Sequence, residues 1–167
     1  ELRNTVTTAD ALHTCKKQAQ QLLAGGGDYV FVVKGNQRTL YDDISAAFTV
    51  LPPHGSWEQA YWQYEAATVN YYGHGRTERI TLESTTALNT YLPFPGIAQV
   101  VKRTRCVTRH SSGKTTVSVE YLITSLDRHR VTLTQIESGF VARAGYLGWS
   151  DPVCAGVHLP AATAAGT

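Results

Sequence analysis

Methionine is absent from all 167 residues, and the chain opens on Glu1 with a strand-like pattern almost at once. The expected reading is a piece of a longer protein whose start lies upstream. Cysteine is scarce: Cys15, Cys106 and Cys154 form an odd, scattered set without a CxxC pair. Neither a zinc site nor a disulfide framework is indicated, and a reducing, cytoplasmic setting is expected. No apolar run reaches the length that spans a bilayer, and the first residues lack the apolar core of a signal peptide. Charge is sparse too, at 17% of residues with a formal net of +2. Mild basicity permits an anionic partner without requiring one, so each cation has to be read by its position.

What remains is 43% hydrophobic, enough for the core of one ordinary domain. Val6-Thr7-Thr8-Ala9 reads as a short strand that closes on Asp10. An amphipathic helix is expected from Ala11 to about Ala24, with Leu12, Cys15, Ala19, Leu22 and Leu23 on one stripe and Gly25-Gly26-Gly27 as its stop. Tyr29 to Val33 is a continuous apolar run, the pattern of a parallel strand covered on both faces. The Lys34-Gly35-Asn36 turn then leads to a second helix with Leu40, Ile44 and Phe48 on one face, ended by Pro52-Pro53. A right-handed crossover in this β-α-β-α unit puts Asp10 and Lys34 at the carboxyl ends of neighbouring strands. Carboxylates at that edge are where α/β sheets carry chemistry. Aspartate is also among the best helix N-caps, so both roles stand open for Asp10 on local pattern.

The middle of the chain changes character. Trp57 to Tyr72 is crowded with aromatics and fits helix or strand equally. From Thr77, the residues Arg79, Thr81 and Glu83 interleave Ile80 and Leu82, which predicts a half-buried antiparallel strand. Ile97 to Thr108 and Thr115 to Thr124 flank Ser111-Ser112-Gly113 and predict a hairpin. Lys102, Arg103, Arg105, Arg109 and Lys114 lie on it, with no acid from Ile97 to Val119. Such a patch either meets phosphates or guards the hairpin against edge pairing.

Three stretches carry a resemblance: Ala9-Asp10-Ala11-Leu12-His13-Thr14, Tyr29-Val30-Phe31-Val32-Val33-Lys34-Gly35-Asn36-Gln37, and His74-Gly75-Arg76-Thr77-Glu78. Together they resemble the H-repeat-associated family of bacterial insertion-sequence DDE transposases. The resemblance implies an α/β fold with a partial ribonuclease-H-like core (βαβα) and an antiparallel β-rich insertion at about residues 55–126. It implies that residues 1–138 are part of a catalytic domain and that 139–167 are a divergent tail, expected to be translated out of the parental frame. Asp10 then matches the second carboxylate of the metal-binding triad, catalytic and metal-ligating.

The cofactor implied is Mg²⁺ or Mn²⁺, not held tightly by one aspartate. The partners implied are DNA at transposon ends and a second copy of the protein, with no membrane. DNA contacts are expected from Lys34 and Arg38 near the catalytic edge and from Lys102, Arg103 and Arg105 on the hairpin. The family places its glutamate in a helix downstream, so neither Glu78 nor Glu137 is assigned that role, and His74 and Glu78 offer at most two ligands. With the first aspartate expected upstream, strand cleavage is not expected of this chain alone. The alternative is a non-catalytic DNA-binding or oligomerising remnant that competes with intact transposase.

Overall fold

The computed structural model describes residues 5–10, 15–50, 63–144 and 157–158. The chain is a mixed α/β protein. Its strands are β1 (Thr5–Ala9), β2 (Asp28–Val33), β3 (Glu65–Gly73), β4 (Arg76–Thr85), β5 (Gln99–Arg109), β6 (Thr115–Thr124) and the two-residue β7 (Val157–His158). Its helices are α1 (Lys16–Ala24), α2 (Arg38–Val50) and α3 (Leu133–Ala144), and a single 3₁₀ turn spans Gly35–Gln37. Ala11 to Thr14, the Pro52-Pro53 stop and Trp57 lie outside the described residues.

All strands join one sheet in the order β3-β4-β5-β6-β2-β1-β7. Among the described strands only β1 and β2 run parallel, with Ala9 opposite Phe31, and the other neighbours are antiparallel. The two strands expected to be parallel and adjacent are so, and the expected 97–124 hairpin forms with Thr108 opposite Thr115. The antiparallel strands are not a separate layer, because β6 pairs directly with β2, Val33 facing Tyr121 and Val30 facing Thr124. The stretch that fitted either helix or strand resolves at its end into strand β3.

Period-2 alternation divides the core between the two sheet faces. On one face Ala9, Tyr29, Phe31, Val100, Tyr121 and Ile123 pack against Ala19 of α1 and against Ile44 and Phe48 of α2. On the other, Val30, Val32, Ile80, Leu82, Val101 and Leu122 pack against Leu133 and Ile136 of α3. β2 feeds both clusters, which is why Tyr29 to Val33 has no polar member. The Tyr29 hydroxyl donates to the Pro95 carbonyl at 2.6 Å, and burial pushes its pKa up, so it stays a neutral donor.

The helix ends follow local chemistry. Cys15 occupies the N-cap position of α1 and is exposed, so it leaves the expected buried stripe; Ala19 is buried and Leu22 and Leu23 pack against the core. Gly25 and Gly27 donate their backbone N–H groups to the last turn and end the helix. α3 opens with a reciprocal cap: Gln135 N donates to Thr132 Oγ1 at 3.2 Å, and Thr132 N donates to Gln135 Oε1 at 2.8 Å. The helix then continues to Ala144, across the boundary expected at residue 139.

Gly96 is required by its backbone. Its φ is +66°, and a β-carbon there would lie 2.5 Å from Leu23 Cδ1. Gly96→Ala is therefore expected to cost about 1–3 kcal/mol, from left-handed backbone strain plus displacement of Leu23. The urea midpoint measures it, and a change under a few tenths of a kcal/mol would show that Leu23 yields freely.

Candidate functional site

The parallel register brings Asp10 and Lys34 together. Each follows directly on the last residue of its strand, and Lys34 Nζ lies 3.0 Å from Asp10 Oδ1. Both side chains are about half exposed, at 52% and 54%. With α1 described from Lys16 and Cys15 at its cap position, Asp10 stands five residues ahead of that cap. Lys34 is extended and leads into the 3₁₀ turn that starts α2. Arg38, on the first turn of α2, points to Asp42 at 3.6 Å, and both are largely exposed.

Among the described residues this edge holds one carboxylate, and an ammonium engages it. No group of three His, Cys, Asp or Glu side chains converges among the described residues. Hard divalent cations need several oxygen ligands from separate elements. The described residues therefore do not assemble the ligand set of a Mg²⁺ or Mn²⁺ pair. Solvent screening makes the Asp10–Lys34 pair weak, so Lys34→Ala is expected to change stability by less than about 1 kcal/mol. A larger fall in the denaturation midpoint would show that Lys34 does structural work beyond this pair.

The basic cluster on β5 is divided by the pleat. Lys102 lies on the face of α2, 3.0 Å from Glu83 of β4 and over the Phe48 ring. Arg103 lies on the opposite face and grips Glu137 of α3 with two hydrogen bonds of 2.8 Å each, while its Nη1 donates to Glu120 of β6 at 3.1 Å. Arg105 donates to Glu78 of β4 at 2.9 Å, and Arg76 approaches the same carboxylate at 2.7 Å. The acids missing from residues 97–119 thus arrive from β4, β6 and α3. Lys34 and Arg38 sit at the strand-end edge while Lys102, Arg103 and Arg105 are split between two faces, so the five expected DNA-contact residues do not share one surface. Arg103 is the least accessible, with its side chain 11% exposed.

Glu137, set aside in the sequence, is the most deeply buried acid described, its side chain 1% exposed. Nearby Tyr71 has its pKa raised by burial first and by Glu137 next, so the phenol is neutral. The His74-Gly75-Arg76-Thr77-Glu78 stretch forms the β3–β4 turn, with His74 at φ 49° and Gly75 at φ 69°. Its glutamate is taken up by Arg76 and Arg105.

No family model matches the chain, and no solved structure matches it. A stretch of 44 residues is 43% identical to an uncharacterized protein in the dhlA 3' region of Xanthobacter autotrophicus. The match takes in 26% of this chain and 15% of that protein, whose name states no activity. No described helix is long and apolar enough to cross a membrane.

Proposed function

We propose that the chain carries part of the catalytic domain of a bacterial insertion-sequence DNA transposase, with Asp10 as the second of three carboxylates. The observation that carries this reading is the half-exposed Asp10 at the carboxyl end of β1, beside Lys34 at the end of parallel β2. Of the three family-like stretches, Ala9-Asp10 and the end of Tyr29 to Gln37 fall at that edge, and His74 to Glu78 at the β3–β4 turn. On this reading β1-α1-β2-α2 is the remaining piece of a ribonuclease-H-like core, β3 to β6 are its β-rich insertion, and the protein works on DNA in the cytoplasm, as one of two or more copies.

The ion pair at Asp10 and the lack of a metal-sized group among the described residues favour a chain that is non-catalytic by itself. It retains contact with DNA or with intact transposase and does not cut. The test is a longer polypeptide that joins an upstream aspartate strand and a downstream glutamate helix to these residues in frame. Given Mg²⁺ or Mn²⁺ and duplex transposon ends, it is expected to nick the DNA, while the 167-residue chain does not. A longer polypeptide that folds and never nicks overturns the reading.

A further inference from the structure

One end of the sheet finishes on a long strand. β3 pairs with β4 through all nine of its residues, and among the described residues no strand lies along its other edge. Edge strands are ordinarily guarded by lysine, proline, a bulge or short length. β3 reads Glu65-Ala66-Ala67-Thr68-Val69-Asn70-Tyr71-Tyr72-Gly73, with no basic residue, no proline and an unbroken register. The strand at the opposite end, β7, has only two residues.

The turn decides which backbone groups of β3 face outward. His74 and Gly75, both at positive φ, make a two-residue hairpin turn that closes on Gly73 and Arg76. That closing pair is hydrogen-bonded, and the antiparallel alternation then points the N–H and C=O groups of Tyr72, Asn70, Thr68 and Ala66 away from β4. A second copy related by a two-fold axis at Val69 presents the same four residues, Ala66 opposite Tyr72 and Thr68 opposite Asn70. This axis alone pairs all nine residues. Side chains match along it: Ala67 meets Tyr71 on the face of α3, Ala66 meets Tyr72 on the other, hydroxyl meets amide, and Val69 meets itself. Tyr72 is 77% exposed in the single chain, and an alanine opposite leaves room for its ring. Glu65, the one charged residue of the strand, falls opposite the second copy's Gly73, with that copy's Arg76 next across the sheet. Gly73 has no side chain to separate them.

We propose that two copies of this chain associate through β3, as an antiparallel two-fold strand pair centred on Val69. The strand itself carries the proposal, and the transposase reading gains from it a surface for its second copy. One strand pair is a small interface, so the association is weak and depends on concentration.

Sedimentation velocity of the 167-residue chain is expected to show monomer passing into dimer over about 5–500 µM. Thr68→Lys/Asn70→Lys, at two exposed positions, sets like charges opposite one another across the axis and should weaken the dimer at least about tenfold. Thr68→Lys/Asn70→Asp sets opposite charges there and should return it to within about threefold of the unaltered chain. Val69 faces its own copy in a non-hydrogen-bonded pair, where α-carbons lie about 4.5 Å apart, a separation a disulfide can bridge. Val69→Cys should therefore cross-link on mild oxidation well above the level set by the native thiols, and Ala66→Cys should not. A monomer at every concentration, equal dimerisation by the two charge variants, or cross-linking through residue 66 instead of 69 overturns the proposal. If the lysine pair unfolds the chain, the Val69→Cys result decides. Dimerisation through β3 together with a longer polypeptide that never nicks DNA counts against the transposase reading alone.

Discussion

Arg103→Ala is expected to remove about 3–5 kcal/mol of folding stability, out of the roughly 5–15 kcal/mol that holds a domain together. The loss arises less from the missing attraction than from what is left behind. Glu137 is almost wholly buried on α3, and its two oxygens accept from Nε and Nη2 of the same guanidinium. Without that fork a carboxylate stands unpaired under the sheet, at the contact that docks α3. Lysine cannot reproduce two parallel bonds, so Arg103→Lys should recover only part of the deficit. Arg103→Met with Glu137→Leu should recover most of it, because no charge then remains to be desolvated.

Burial opposes the Arg103 charge, yet Glu137 and Glu120 outweigh it and its pKa is raised. A raised folded-state pKa stabilises fully below the unfolded value and is lost only as pH climbs through the folded one. For a guanidinium that window lies far above ordinary pH, so the protonation of Arg103 brings no pH dependence between about pH 6 and 9. Urea midpoints of the four proteins decide the matter. An Arg103→Ala shift below 1 kcal/mol, or a double variant no better than the single, would show that the pair does not anchor α3.

In the longer polypeptide that restores the neighbouring elements, Asp10→Asn is expected to lower Mg²⁺-dependent nicking by at least roughly 10³-fold, or about 4 kcal/mol of transition-state stabilisation. Asparagine keeps the size and the hydrogen-bonding reach of aspartate and removes the charge a hard cation requires. Because Asp10 is half exposed and its ion pair weak, the same change should leave the denaturation midpoint within about 1 kcal/mol. The separation of the two readouts identifies the role. Equal cutting with asparagine would mean that Asp10 does not belong to a catalytic triad, and a collapsed midpoint would mean that its value is structural.

The parts legible in the sequence were those whose neighbours are close in the chain or whose pattern is extreme. Tyr29 to Val33 has no polar interruption because both of its faces are covered. Ile44 and Phe48 keep helical spacing because α2 buries one face, and the Asp10–Lys34 edge followed from two short connections. β3 was hidden although Ala67, Val69 and Tyr71 alternate with exposed Thr68, Asn70 and Tyr72, because the crowd of aromatics leading into it fits a helix as well. The β6–β2 pairing was hidden because backbone hydrogen bonds across so long a separation leave no local mark. The basic run misled for the same reason: Glu78, Glu83, Glu120 and Glu137 are remote in sequence and adjacent only after the sheet and α3 have formed.

That long-range pairing also sets an order of events during synthesis. β2 is buried on both faces and bonded along both edges, yet its partner for one edge, Tyr121 to Thr124, emerges last among the six long strands. At ribosomal speed the roughly 90 intervening residues take about 5–20 s to make. During that interval the most apolar strand of the protein has an open edge, and closing so distant a contact is intrinsically slow. A nascent chain halted before residue 121 is therefore the form in which this molecule most needs a chaperone.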